Sequence, residues 1–154
     1  LYIAGMAFAV LPDADVLAFT FGIPYNHPFG HRGFTHSIFF ALLLGAVLAS
    51  FFCQPSKAGW RPWLGAFLFL FLSTISHGIL DAFTNGGLGV AFFFPFDNSR
   101  YFFPWRPIQV SPIGAKEFFG EWGLRVIKSE LVWIWLPSMI VIFASKLMYR
   151  KSRC

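Results

Sequence analysis

The sequence predicts an all-α integral membrane protein: a bundle of three to four transmembrane helices with a Pro-, Gly- and aromatic-rich loop region over one end. Three observations carry this expectation. Of 154 residues, 56% are hydrophobic and 12% charged, about half the charged share of a soluble domain. The mean hydropathy is +0.62. The 22 phenylalanines and 6 tryptophans suit a chain with aromatic belts at the membrane–water interfaces. The length fits one domain, residues 1–154. A net charge of +5 does not make nucleic acid a partner, because no basic cluster is interleaved with aromatics. The positive charges sit near the ends of apolar runs, where positive-inside bias and anionic lipid headgroups account for them. Cys53 and Cys154 have no CxxC spacing, so neither a zinc knuckle nor a disulfide framework is expected.

The elements follow in order. Residues 1–11 form a short apolar run ended by Pro12. The run starts at Leu1 without Met, lacks the features of a signal peptide, and is expected to continue a segment that precedes it. Residues 38–53 and 63–80 are nearly uniform apolar runs close to the ~20 residues of a membrane span. Between them, residues 54–62 hold Pro55, Gly59 and Pro62, a short turn that predicts an antiparallel helical hairpin. Residues 82–130, with Asn85-Gly86-Gly87, Pro95, Pro104, Pro107 and Pro112, read as a structured loop. Short strands are expected near 101–103 and 108–110, and an interfacial helix over 117–128. Residues 131–149 form the last run, interrupted by Pro137. Lys57 and Arg61 in the turn and Lys146, Arg150, Lys151 and Arg153 in the tail place those two regions in the cytoplasm. The opposite, outer face of a cell inner membrane then carries the polar residues described next.

Those residues are few. His31-Arg32-Gly33-Phe34-Thr35-His36-Ser37 precedes the second run, Asp13 and Asp15 follow the first, and His77 and Asp81 close the third. Ionisable residues at the edge of apolar segments are expensive to place and mark function by default. One run going out, one returning and one going out bring all three groups to a single membrane face. His36 lies before the hairpin turn and His77 after it by about the same distance, roughly 20 residues or 30 Å of helix, so the hairpin sets them level. Thr35 is the expected N-cap of the second helix, with His36 in its first turn. His77 and Asp81, four apart, share one helix face. Imidazole nitrogens and carboxylate oxygens at such spacing suit a divalent ion, zinc foremost. The expected ligands are His36, His77, Asp81 and one of Asp13 or Asp15. The remaining carboxylate acts as a general base or orients a histidine. Asp15, His31 and Arg32 are the expected catalytic residues, with Arg32 able to clamp phosphate or carboxylate. Arg100 and Arg106 could clamp such a group too or, beside Tyr101 and Trp105, serve as interfacial anchors, the reading favoured for Arg106. Ser37, Ser73 and Ser76 lack a GxSxG setting, so serine-hydrolase chemistry is not expected.

Leu11-Pro12-Asp13-Ala14-Asp15, His31-Arg32-Gly33-Phe34-Thr35-His36-Ser37 and Ser76-His77-Gly78-Ile79-Leu80-Asp81 resemble the three signature blocks of the YdjM-like family, in order and spacing. Phe83-Thr84-Asn85-Gly86-Gly87 continues the likeness into the aromatic loop, so that it covers roughly residues 1–112. The resemblance implies a membrane-bound metal-dependent hydrolase. With the residues read above, it leads to the expectation of metal-activated water attacking an ester or phosphoester of an amphipathic substrate such as a phospholipid. The other reading of the same His/Asp cluster is a membrane transporter or ion-binding protein.

Overall fold

The computed structural model describes residues 1–54 and 59–151. Part of the expected 54–62 turn, with Lys57, and the tail residues Arg153 and Cys154 lie outside the described residues. Helices supply all the regular structure among the described residues, and three are long and apolar enough to cross a membrane: Tyr2–Phe21, Trp60–Ala82 and Glu121–Tyr149. The chain divides into two compact units, residues 1–83 with 87–104, and residues 84–86 with 105–154.

The first unit begins with helix α1 (Tyr2–Val10), which winds on as a 3₁₀-helix over Leu11–Phe21. The first apolar run therefore does not stop at Pro12. Proline near the start of the tighter helix lacks only an N–H that such a start leaves unpaired anyway. Asp13 and Asp15 sit inside this stretch, not after it. At 3.0 residues per turn, two residues apart means about 120° around the axis, so the two carboxylates leave the helix in different directions.

Helix α2 (Ile38–Phe52) runs alongside α3 (Trp60–Ala82) as the expected hairpin. Its buried residues are Ala41, Gly45 and Ala49, spaced by four. The buried face of α3 includes Ala66, Leu70, Thr74 and Gly78 at the same spacing. Small residues on facing stripes let the backbones approach closely, which is how helices associate where lipid removes the hydrophobic drive. Gly45 lies against the backbone of Phe71, and Gly5 of α1 packs on Phe69 and Ser73 of α3. Ser73, Thr74 and Ser76 return their hydroxyls to carbonyls of their own helix. Helix α2 spans 15 residues, about 22 Å at 1.5 Å per residue, short of a full bilayer core.

The cap of α2 differs from expectation. Ser37, not Thr35, is the N-cap: its Oγ accepts the Phe40 N–H at 3.0 Å and donates to Phe34 O at 2.7 Å. His36 therefore lies in a 3₁₀ turn, Phe34–His36, ahead of the helix. The loop before it is built of successive tight turns, Gly30 N–H to His27 O and Gly33 N–H to Gly30 O. Gly33 is required there, because a Cβ would meet the Pro28 carbonyl. On the far side of α3, residues 91–103 return to this loop: Ala91 N–H bonds Arg32 O and Ile38 N–H bonds Phe92 O, both at 3.0 Å. The strand expected at 101–103 is reduced to one isolated bridge, Val90 with Tyr101.

In the second unit, the strand expected at 108–110 is likewise an isolated bridge, Thr84 with Ile108. Asn85 accepts the Val110 N–H and donates to Gln109, so it staples this unit. The helix expected over 117–128 appears as α4 (Glu121–Glu130), with its polar and apolar residues on separate faces, and it forms the first part of the candidate span Glu121–Tyr149. A π-helical turn, Leu131–Trp135, joins it to α5 (Leu136–Lys151), so the last run stays helical through Pro137 and the change from the α-helical pattern is confined to the turn before it.

Candidate metal centre

The seven site residues expected from the sequence all belong to the first unit, and they meet at one place. Asp13 comes from the 3₁₀ extension of α1, His36 from the turn before α2, and His77 and Asp81 from the last turns of α3. Asp13 Oδ1 lies 3.1 Å from His77 Nε2 and 3.5 Å from His36 Nε2. Asp81 Oδ2 lies 3.2 Å from His36 Nε2 and 3.8 Å from His77 Nε2. One ligand atom from each of the four residues falls within 4.8 Å of the others. The two imidazoles sit with centroids 5.1 Å apart, level as the hairpin requires.

The burial of these groups is graded. His36 has no side-chain exposure, His77 and Asp81 have 17% and 15%, and Asp13 has 51%. The Nε2 atoms of His36 and His77 are buried and make no hydrogen bond, although carboxylate oxygens crowd them. Buried polar nitrogens in native structures are nearly always bonded. Two of them facing the same pair of carboxylate oxygens make a donor set that could hold a divalent ion.

Asp15 stands behind this group, at the other nitrogen of His36. Its Oδ1 is 2.7 Å from His31 Nδ1, and its Oδ2 accepts the Thr35 hydroxyl at 2.6 Å and the Arg32 N–H at 3.1 Å. His36 Nδ1 lies 3.1 Å from the same Oδ2. Asp15, His31 and His36 form a second grouping that could hold an ion. Here, however, the close atoms are engaged in short hydrogen bonds, and all three residues are buried. The 120° offset along the 3₁₀-helix thus sends Asp13 to Nε2 and Asp15 to Nδ1 of one imidazole.

Electrostatics follow from this crowding. Burial alone would lower the His36 pKa. The carboxylates of Asp13, Asp15 and Asp81 outweigh burial and push it up to about 10.

Arg32 is buried, and its Nη2 donates to Asp81 Oδ1 at 2.8 Å. Its backbone is left-handed (φ 61°), the one non-glycine with positive φ among the described residues. Such a conformation costs about 1–2 kcal/mol for an L-residue and clusters at functional sites.

Several contributors have roles here that the sequence did not show. Thr35 is a hydroxyl on Asp15, not a helix cap. Arg100, left open by the sequence between an anion clamp and an interfacial anchor, donates to the carbonyls of Tyr25, His27 and His31 at 2.9–3.2 Å and so ties down the loop that carries His31. The Tyr25 ring packs edge-on to His31 at 5.1 Å. None of these had a sequence signal, because each acts on backbone or on a residue far along the chain.

The YdjM inner membrane protein family matches residues 1–152. Inner membrane protein YbcI of Escherichia coli (strain K12) is 43% identical over 143 residues, covering 92% of this chain and 80% of that protein. No solved structure matches the chain significantly. The chain belongs to the YdjM inner membrane protein family, as the three signature blocks implied.

Proposed function

From this membership and the geometry of the cluster, we propose that the chain is a membrane-bound metal-dependent hydrolase whose ion is held by His36, His77, Asp81 and Asp13. The carrying observation is the spacing of the four ligand atoms. Tetrahedral zinc with bonds of about 2.0–2.2 Å implies ligand–ligand edges of roughly 3.3–3.6 Å. Four of the six edges run from 3.1 to 3.8 Å, and the other two lie within 4.8 Å. Charge supports the same reading. The carboxylates of Asp13, Asp15 and Asp81, set against the bonded guanidinium of Arg32, leave two negative charges in excess when the histidines are neutral. One divalent cation cancels them, whereas an uncompensated buried charge is costly. Imidazole in the donor set favours zinc over magnesium or calcium.

A divalent ion at these atoms supplies Lewis acidity, which lowers the pKa of water and polarises a scissile ester. The remaining work falls to side chains. His36, His77 and Asp81 form a two-histidine, one-carboxylate set, the usual protein share of a catalytic zinc. Asp13, the most exposed of the four at 51%, is the carboxylate placed to take a proton from water. Asp15 has both oxygens occupied and almost no exposed surface to offer water. Its role is to accept from His36 Nδ1, which fixes the tautomer that leaves Nε2 as the ligand atom. His31, bonded to the other oxygen of Asp15, holds that carboxylate in place. The substrate class is an amphipathic ester or phosphoester, such as a phospholipid, because the cluster lies where apolar helices end in polar loop. The basic residues of the 54–62 turn and the tail favour placing this end on the outer face of the inner membrane.

A four-residue protein ligand set is also the stoichiometry of a closed, non-catalytic site, which favours an ion-binding protein as the second reading. Two measurements separate these cases. Metal analysis of detergent-purified protein is expected to find close to one divalent ion per chain, and little in His36→Ala or Asp81→Ala. Unchanged metal content in both variants sinks the site. Metal-loaded protein in phospholipid vesicles is then expected to release ester or phosphoester products, and Asp13→Asn to lose that activity while keeping most of its metal. Bound metal without cleavage of either bond class leaves the ion-binding reading.

A further inference from the structure

We infer that Arg32 is the positioning residue of this centre, and that Gly87 is the seat that allows it to act. The inference rests on the metal reading above and goes further, because it assigns to one buried arginine the coordination mode of one ligand and the orientation of another. Arg32 touches two of the three carboxylates around His36. Its backbone N–H reaches Asp15 Oδ2, the oxygen facing His36 Nδ1, at 3.1 Å. Its guanidinium reaches Asp81 Oδ1 at 2.8 Å, while Asp81 Oδ2 faces His36 Nε2 at 3.2 Å. With Oδ1 engaged, Asp81 presents one oxygen to the cluster and is held as a one-point ligand.

The left-handed backbone at Arg32 allows a single residue to do both. Its own carbonyl is meanwhile taken by Ala91 N–H, so the peptide cannot relax without breaking the return strand of the 91–103 loop. The guanidinium needs room that a side chain at residue 87 would occupy. A Cβ on Gly87 would stand 2.8 Å from Arg32 Nη1 and 2.7 Å from the Tyr25 hydroxyl, at a backbone φ of +85°. Gly87 thus lies against the arginine, outside the proposed ligand set. This also changes what Arg32 can do for substrate: with a buried guanidinium committed to Asp81, it is an organiser of ligands and not a clamp on phosphate.

Cobalt(II) titration of the full-length, metal-stripped protein in detergent tests this, with affinity and the d–d absorption of the bound ion as readouts independent of turnover. Arg32→Lys keeps the charge but loses the planar fork. It is expected to lower cobalt affinity about ten- to a hundredfold, the usual cost of losing a partner behind a ligand, and to shift the d–d bands as Asp81 changes its mode. Gly87→Ala is expected to do the same from outside the ligand set. Combining the two is expected to be little worse than Arg32→Lys alone, because both act through one guanidinium. Circular dichroism and gel filtration identify variants that fail to fold, and Arg106→Lys, remote from the cluster in sequence and assigned no part in it, controls for loss of an arginine as such. If wild type binds cobalt and His36→Ala does not, but Arg32→Lys and Gly87→Ala bind with unchanged affinity and spectrum, Arg32 is no positioning residue while the metal reading stands. Strictly additive losses in the double variant overturn the assignment of Gly87. A wild type that binds no metal overturns both readings together.

Discussion

Asp15 is the residue whose replacement best separates orientation from ligation. It sits at the Nδ1 side of His36, accepts from Thr35 and from the Arg32 backbone, and pairs with His31 at 2.7 Å. The substitution Asp15→Asn keeps the shape and one carbonyl oxygen but gives up the charge that favours a donating Nδ1. We expect this variant to fold and to bind zinc about ten- to a hundredfold more weakly, as loss of a carboxylate behind a histidine does elsewhere. A competition titration against a zinc-binding dye checks this, and an affinity equal to wild type would remove Asp15 from the centre. The sequence showed that two carboxylates stood near two histidines. It did not show which carboxylate met which nitrogen, because that depends on whether Leu11–Phe21 winds at 3.6 or 3.0 residues per turn.

At the scale of elements, the turn before α2 couples the site to the helix. Ser37 is fully buried, caps α2 through Phe40 N–H and closes the Phe34–His36 turn through Phe34 O. Ser37→Ala removes both bonds and is expected to cost about 1 kcal/mol, lowering the melting temperature by roughly 2–4 °C in a chain of this size. Detergent thermal melts read it; a melt that superimposes on wild type means that the cap contributes nothing. The hairpin of α2 and α3 was legible because long uniform apolar runs flank a Pro/Gly turn, and the level placing of His36 and His77 followed from counting residues from that turn. The shift of the cap from Thr35 to Ser37 was not legible. Both are good caps, and the choice is made by Asp15, which recruits the Thr35 hydroxyl from 20 positions away. The role of Arg100 was not legible for the same reason: its partners include carbonyls at residues 25, 27 and 31, and no local pattern marks an arginine that bonds backbone at such range. The expected strands fell to isolated bridges, since the donors that would extend them bond elsewhere: Phe103 N–H to Ala82 O, Ser99 N–H to Asp97 Oδ1 and Val110 N–H to Asn85 Oδ1.

For the molecule as a whole, the consequence lies in how stability responds to pH and metal together. His36 has its pKa raised to about 10 by the surrounding carboxylates, against about 6.5 in an unfolded chain. A raised pKa means that the folded state holds the proton more tightly. Its contribution is therefore complete below about pH 6.5 and is lost as pH climbs toward 10. Metal-free protein should accordingly melt at progressively lower temperature as pH rises through this window. A metal ion at Nε2 must displace that proton, so its affinity should rise with pH by up to about tenfold per unit while His36 remains protonated in the free protein. Because a ligand stabilises the folded state in proportion to the logarithm of its concentration over its dissociation constant, the gap between zinc-loaded and metal-free melting temperatures should widen from about pH 6.5 to about 8.5. In His36→Gln, which keeps a polar side chain but has no proton to exchange, that gap should be small and flat. Differential scanning fluorimetry in detergent, with and without a chelator, measures both curves. A wild-type gap independent of pH would mean that the carboxylates around His36 are not balancing a proton that metal replaces, and that the crowding of Asp13, Asp15 and Asp81 about one imidazole serves packing alone.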